Sequence, residues 1–249
     1  VRLVALDFDG TLLNRDGSIA GATVQQMQRL HDRGCHVAIA TGRPYPVTVD
    51  ILLNNGLGPH NGFPQILICD ERDVFFLKGD GYRPWLPWNK DAYNKELGLL
   101  SLSRQVVTGM ALDHGCEFLV NNKYMQRNRG YVEIFYWSRE QAEEAFPLFV
   151  ERLRNQEIKP VRNNRLIAFR WRDVGKGIIL AKVAESLALD PDDVMAMGDS
   201  YNDLDMLLRF NAATTQNADD EIKDAVREKN GIVADSSYSL GVAEVLAQL

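Results

Sequence analysis

Leu3-Val4-Ala5-Leu6 runs straight into Asp7-Phe8-Asp9-Gly10-Thr11. Four apolar residues in succession, without alternation, read as a strand buried on both faces, the kind that parallel sheets contain. The polar stretch that follows sets two carboxylates two residues apart at the end of that strand. Open α/β sheets bind ligands at the carboxyl ends of their strands. Gly10 allows a sharp turn there. One carboxylate can attack phosphorus while the other handles protons, the division of labour that covalent catalysis requires.

Downstream, residues 12–19 suggest a hairpin flap, with Asn14-Arg15-Asp16-Gly17 at its tip. A helix follows, with Thr23 and Gln26 at capping-box spacing, Val24, Met27 and Leu30 on one face, and Gly34 as its stop. His36 to Ala40 is a second apolar strand, Val47 to Asn54 a helix, and Gln65 to Cys69 a third strand. The order β-α-β-α-β predicts a parallel sheet covered by helices on both faces. From Arg83 the composition changes, and Trp85, Trp88, Tyr93, Tyr124, Tyr131, Phe135, Tyr136 and Trp137 crowd the chain. Strands are expected at Cys116 to Val120, Tyr131 to Trp137 and Leu166 to Trp171. A helix is expected from Arg139 to Gln156, with Pro147 kinking it or marking a later start. Alternation then resumes: helix from Gly177, strand at Val194 to Met197, helix from Asn202, strand at Ala212 to Thr215, and helices from Asp219 and Val242. The reading is therefore α/β: a Rossmann-like parallel-sheet core from 1–82 and 173–249, interrupted by an inserted α+β module at 83–172.

The formal net charge is −6, which disfavours a nucleic-acid partner. A local cluster of cations or a metal can still make a site for an anionic substrate. No apolar run approaches the ~20 residues that cross a bilayer, so no membrane association is expected. The chain opens on a strand-like run without a signal-peptide pattern. Cys35, Cys69 and Cys116 form no CxxC pair and are odd in number, which fits a reducing cytoplasm.

Three further stretches carry chemistry. Gly198-Asp199-Ser200-Tyr201-Asn202-Asp203 follows another buried strand and gathers oxygen ligands of the kind Mg²⁺ requires. Ser200 or Asn202 could equally cap the next helix. Thr41 follows the second strand, where a hydroxyl and free N–H groups can hold phosphate oxygens; an isolated Thr there also serves as a helix cap. Lys176, in Gly175-Lys176-Gly177, sits at a helix start, where the macrodipole disfavours a cation. A cluster of acids and phosphate nearby would account for it, although most lysines are simply surface residues.

Together these stretches resemble the haloacid dehalogenase superfamily of phosphohydrolases, whose four motifs occur in this order. The match runs through Asp7-Phe8-Asp9-Gly10-Thr11-Leu12, Ala40-Thr41-Gly42-Arg43, Gly175-Lys176-Gly177 and Gly198 to Asp203. A second Asp two residues after the first is similar to the phosphatase pattern. The insertion between the second and third motifs resembles the type-two cap of Cof-like sugar phosphatases and sucrose-phosphate phosphatase.

The resemblance implies a magnesium-dependent phosphomonoesterase acting on a small phosphorylated metabolite, a sugar phosphate above all. Asp7 would be nucleophile and metal ligand. Asp9 would be general acid and base, with its backbone carbonyl on the metal. Thr41 and Lys176 would hold the phosphoryl group, and Asn202 would orient phosphate or Lys176. Asp199 would ligate Mg²⁺, with Asp203 supporting it or binding directly. Gly42, Arg43 and Asn217 are possible substrate-side residues. The cap would choose the substrate, with Asn121, Asn122, Lys123, Arg127, Arg129, Arg162, Asn163, Asn164 and Arg165 as polar candidates. Those Arg-Asn runs read more simply as solvated turns, and Tyr131, Phe135 and Trp137 as one face of a half-buried strand. The chain departs from the family after its third strand: many Cof-like members carry Asn-Gly-Ala where it has Cys69-Asp70-Glu71-Arg72. A sugar phosphomutase and a silent ligand-binding regulator remain alternatives on the same scaffold.

Overall fold

The computed structural model of the chain describes residues 1–114, 119–120 and 130–249. In chain order the elements are β1 (Leu3–Asp7), α1 (Gly21–Asp32), β2 (His36–Ala40), α2 (Tyr45–Asn54), β3 (Ile66–Cys69), β4 (Asp73–Lys78), β5 (Gly81–Pro84) and α3 (Trp88–His114). Then come β6 (Leu119–Val120), β7 (Val132–Phe135), α4 (Arg139–Arg152), β8 (Ile158–Asn163) and β9 (Leu166–Trp171). The chain ends with α5 (Lys176–Ser186), β10 (Val194–Met197), α6 (Leu204–Leu207), β11 (Asn211–Thr214), α7 (Asp220–Glu228), β12 (Ile232–Val233) and α8 (Tyr238–Leu246).

Two compact units result. Val1–Trp88 and Gly175–Leu249 form one, and Asn89–Val174 the other. The first unit holds an eight-stranded sheet in the order β12-β11-β10-β1-β2-β3-β4-β5. Every pair from β12 to β3 is parallel, while β4 and β5 add an antiparallel hairpin. That hairpin carries the first unit past residue 82.

The apolar strand sequences are buried on both faces. Val4, Leu6, Val37, Ile39 and Leu67 pack with Met27 and Leu30 of α1, Leu52 of α2 and Val242 and Val245 of α8. Residues of opposite parity, among them Leu3, Ala5, Ala38, Ala40 and Ala196, are equally buried. β1 lies at the sheet's centre, and the chain winds from it first toward β3 and later, through β10, the other way. Its carboxyl end is thus the topological switch point, where such sheets take their ligands.

Two local expectations need correction. The segment expected to be a hairpin flap forms turns, with Asp9 and Leu13 in a single isolated bridge. Ser18 donates twice to Asp16 Oδ1 and accepts from Asn14 Nδ2. Asn14 N–H donates to Ser18 O and Gly17 N–H to Asn14 O, each at 2.9 Å, so the backbone closes the turn and these side chains reinforce it without a ladder. Thr23 and Gln26 form no capping box either. α1 begins at Gly21, after Ala20, and Thr23 lies within its first turn, where its buried hydroxyl donates to Ser239 O of α8.

The second unit packs α3 and α4 on a four-stranded antiparallel sheet, order β6-β7-β9-β8. α4 starts at a true capping box, Ser138 with Gln141, and continues through Pro147. The packed face of β7 consists of Val132 and Ile134, continued by Tyr136, against Ile167 and Phe169 of β9 and Phe149 of α4. Tyr131 and Phe135 lie on the alternate face, stacked under Arg170 and Arg165, and Trp137 is exposed. Arg162 is no solvated turn residue: it is buried in β8 and pairs with Glu143 at 3.1 Å. Cys116, Asn121, Asn122, Lys123, Tyr124, Arg127 and Arg129, with most of the strand expected at Cys116 to Val120, lie outside the described residues.

Candidate active site

Because β10, β1, β2 and β3 are adjacent and parallel, their carboxyl ends share one edge. Asp7 closes β1, Thr41 follows β2, Asp70 and Glu71 follow β3, and Asp199 follows β10 by two residues. Sequence-distant groups meet there by topology alone.

Lys176 is the centre of the arrangement. Its Nζ donates to Asp7 Oδ1 and Asp203 Oδ1, each at 2.6 Å, and all three side chains are at most 5% exposed. The acids that a lysine at a helix start requires are therefore present. Burial pulls the Lys176 pKa down, but the charges of Asp203, Asp7 and Glu71 outweigh it and hold the ammonium well above its usual range. Asp7 is shifted upward, by burial first and then by Asp203, with Lys176 opposing.

Asp199 accepts from the Thr11 hydroxyl at 3.1 Å. Its carboxyl is pushed up to about 7, by burial and then by the charge of Asp203. Asp203 is fully buried, and its Oδ2 accepts the N–H groups of Asp199 and Ser200, each at 3.1 Å. This carboxylate builds the turn that presents Asp199. Oxygens of Asp7, Asp199 and Asp203 lie within 4.8 Å of one another. An all-oxygen donor set fits a hard divalent cation, and the burial and mutual repulsion that raise Asp7 and Asp199 even beside Lys176 are costs that such a cation would offset. The residues present therefore fit Mg²⁺.

Gly10 and Gly198 allow this closeness. A Cβ on Gly10, whose φ is +85°, would stand 2.2 Å from Asp199 Oδ2, and one on Gly198 would stand 2.4 Å from Asp203 Cβ. On the other side of β1, Thr41 is buried, its N–H donates to Ile68 O, and its Oγ1 accepts from Arg43 N at 3.1 Å. Gly42 lies in the turn between Thr41 and Arg43, with the Glu71 carboxylate 3.6 Å from where its Cβ would stand. Asp9 is half exposed and paired with Arg43 through both oxygens.

Asn202 donates to Glu71 Oε1 at 3.0 Å and accepts from Ser200 Oγ at 2.6 Å. Asn217 donates to Gly10 O and accepts from Tyr238 N, so it braces the turn after β1. Thr11 and Glu71 were not among the residues singled out from sequence. Thr11 stood inside the first motif, and Glu71 stood at a strand end, the same signal that exposed Asp7.

A cluster of this kind can bring a buried carboxylate, a fixed ammonium and a hard cation around one anionic group. The profile of the family described as haloacid dehalogenase-like hydrolase matches residues 4–64 and 133–246, more than half of the chain. Among curated proteins, the 5-amino-6-(5-phospho-D-ribitylamino)uracil phosphatase YcsE of Bacillus subtilis is 24% identical, over 99% of this chain and 94% of its own length. A phosphoglycolate phosphatase of Thermoplasma acidophilum is 23% identical, over 98% and 96% of the two chains. Among solved structures, the sucrose-phosphatase of Synechocystis, in complex with sucrose and phosphate, superposes with a TM-score of 0.72 at 16% identity, covering 99% of this chain and 96% of that one. Among the described residues no helix is long and apolar enough to cross a membrane. The chain belongs to the haloacid dehalogenase-like hydrolase family and is a phosphatase.

Proposed function

We propose that this phosphatase hydrolyses a small phosphorylated metabolite, a sugar phosphate in class, through an aspartyl-phosphate on Asp7 with the help of Mg²⁺. The observation that carries this reading is the buried Lys176 ammonium shared between Asp7 and Asp203, beside Asp199, at the switch point of the sheet. The ammonium is placed to offset the charge of both Asp7 and an incoming phosphoryl group, and phosphoryl transfer depends chiefly on such positioning and charge stabilisation.

In the first step an Asp7 oxygen attacks phosphorus and the bond to the leaving oxygen breaks. Asp9 gives that oxygen its proton. In the second step Asp9 takes a proton from water, the water oxygen attacks phosphorus, and the bond to Asp7 breaks. Inorganic phosphate leaves and Asp7 is restored. Thr41, whose hydroxyl proton is not used on Arg43 N, donates to the phosphoryl oxygens beside Lys176. Asp7, the carbonyl of residue 9 and Asp199 would hold Mg²⁺, with Asp203 fixing Asp199 from behind. When bound, the ion supplies charge neutralisation at the transferring group.

The free thiols of buried Cys35 and Cys69 support a reducing, cytoplasmic setting for this chemistry. The test is a panel of phosphorylated metabolites assayed for phosphate release with Mg²⁺ and after chelation. Release that requires Mg²⁺ is expected. Isomerised sugar phosphate without free phosphate would instead identify a mutase, and turnover unaffected by chelation would remove the metal from the mechanism.

A further inference from the structure

Glu71 belongs to none of the four motifs, yet it touches three of them. Its N–H donates to Thr41 O at 3.1 Å, its carbonyl accepts from Gly175 N at 2.9 Å, and its carboxylate Oε1 accepts from Asn202 Nδ2 at 3.0 Å. The loops after β2, before α5 and after β10 are therefore pinned to one residue. Asp70 and Glu71 both hold φ at 51°, and Glu71 is 7% exposed. Two consecutive non-glycine residues in the left-handed region are costly and persist only where the surroundings fix them, typically at functional sites. A buried carboxylate is costly as well unless it is partnered.

We propose that Glu71 is a positioning residue of the phosphate cradle, acting through Asn202. Its carboxylate fixes the Asn202 amide, and with it the turn from Asp199 to Asp203 that carries two of the site's acids. Its backbone sets the spacing between Thr41 and Lys176, the two groups proposed to take the phosphoryl oxygens. Hydrogen bonding to Asn202 is the operative feature for the cradle; the charge of Glu71 acts on Lys176 only after those of Asp203 and Asp7, and an anion beside a phosphate site is by itself unfavourable. The inference rests on the phosphatase reading above.

The test compares Glu71→Ala, Glu71→Gln, Asn202→Ala and Glu71→Ala with Asn202→Ala combined. Each is read by kcat on para-nitrophenyl phosphate, by the affinity for inorganic phosphate in calorimetry, and by melting temperature. A hydrogen bond to a charged group corresponds to roughly tenfold to a hundredfold, and a loss of that order in kcat is expected for Glu71→Ala. Glu71→Gln keeps the acceptor oxygen and should retain near wild-type kcat with equal or tighter phosphate binding. The double variant should be no worse than Asn202→Ala alone, since both remove the same link. Multiplying losses, wild-type behaviour of Glu71→Ala, or tighter phosphate binding by Glu71→Ala would each overturn the proposal. The calorimetric arm reads the link on its own, so absence of turnover in the wild type would refute the hydrolysis reading and leave this test decisive.

Discussion

Arg43 grips Asp9 at two points: Nε donates to Oδ2 and Nη2 to Oδ1, each at 2.6 Å. The side chains are 38% and 53% exposed, and a solvent-screened pair of this kind adds only ~0–1 kcal/mol to folding. Its consequence is orientation. The planar fork fixes the plane of the carboxylate that is proposed to move protons, and a misplacement of ~1 Å can cost on the order of a hundredfold in rate. Arg43→Ala should therefore shift the melting temperature by less than about 4 °C while lowering kcat at least about tenfold. Arg43→Lys should restore little, because an ammonium cannot make the two-point contact. Wild-type kcat in Arg43→Ala would show that Asp9 needs no such grip.

The two carboxylates of the first motif should separate cleanly. Asp7→Asn removes the nucleophile, so no phosphoenzyme should form. Asp9→Asn keeps the nucleophile and the carbonyl of residue 9, but an amide can neither protonate a leaving oxygen nor activate water. General acid–base catalysis contributes about 10² to 10⁴ in rate, and Asp9→Asn should lose at least that on a metabolite with a poor leaving group. An aryl phosphate should suffer less in the first step, so phosphate should accumulate on Asp7. Acid-quenched mass spectrometry reads the adduct. Phosphate on another residue, or wild-type turnover in Asp7→Asn, would refute the mechanism.

Gly10 permits a third test. Its φ of +85° and the 2.2 Å that would separate a Cβ from Asp199 Oδ2 make two distinct costs. Gly17 has a similar φ of +81° but nothing within 4 Å of its Cβ position. Both substitutions to Ala incur the left-handed backbone cost of ~1–2 kcal/mol. Only Gly10→Ala must also displace Asp199 and break its bond from Thr11. Gly10→Ala is expected to weaken Mg²⁺ binding in calorimetry by more than about tenfold, while Gly17→Ala leaves it unchanged. Equal affinities in the two variants would mean that Asp199 is not a ligand.

What the sequence exposed of this site, and what it hid, follows from the range of the interactions. Asp7 and Asp199 were legible because each follows an unbroken apolar run, and a parallel sheet brings such ends together. Lys176 was legible as an anomaly, a cation at the wrong end of a helix. Glu71 stood at a strand end too, but its meaning depends on Asn202, 131 residues away, and no local pattern records that. β8 was missed because Pro160 and Arg162 interrupt its apolar residues. It is an edge strand, where proline is tolerated. Alternation at β7 was legible, with Tyr131 and Phe135 on one face, but it does not say which face packs: Val132 and Ile134 do, while Tyr131 carries the Arg170 guanidinium.

That guanidinium sets up a stability test within the second unit. Arg170 Nε donates to Glu96 Oε1 at 2.6 Å and its Nη2 to Oε2 at 3.2 Å, and the side chains are only 3% and 1% exposed. Removing one partner of a buried pair typically costs ~3–5 kcal/mol, because the remaining charge stays buried. Glu96→Ala should lose that much in urea unfolding. Lys95→Ala breaks the neighbouring exposed bridge to Glu157 and should cost no more than about 0.5 kcal/mol. Equal small losses would mean that Arg170 finds water or another acceptor when Glu96 is gone.

The pH dependence of metal binding follows from the crowded acids. Burial and the Asp203 charge push the Asp199 carboxyl up to about 7 from an ordinary 3.8, and Asp7 is raised too, by burial and then by Asp203. A carboxyl raised in the folded state adds stability that is fully present below its unfolded pKa and is lost as pH rises through the folded one. The metal-free protein should thus lose stability between about pH 4 and about pH 7 on this account. A cation binds only ionised ligands, so binding must release the Asp199 proton below about pH 7 and is free of that part of the cost above it. Mg²⁺ should raise the melting temperature more at about pH 8 than at about pH 5, with apparent affinity falling up to about tenfold per pH unit on the acid side. Asp199→Asn should flatten this profile and weaken binding at the higher pH. A thermal shift by Mg²⁺ that is the same at both pH values in the wild-type protein would place the ion away from Asp199 and Asp7.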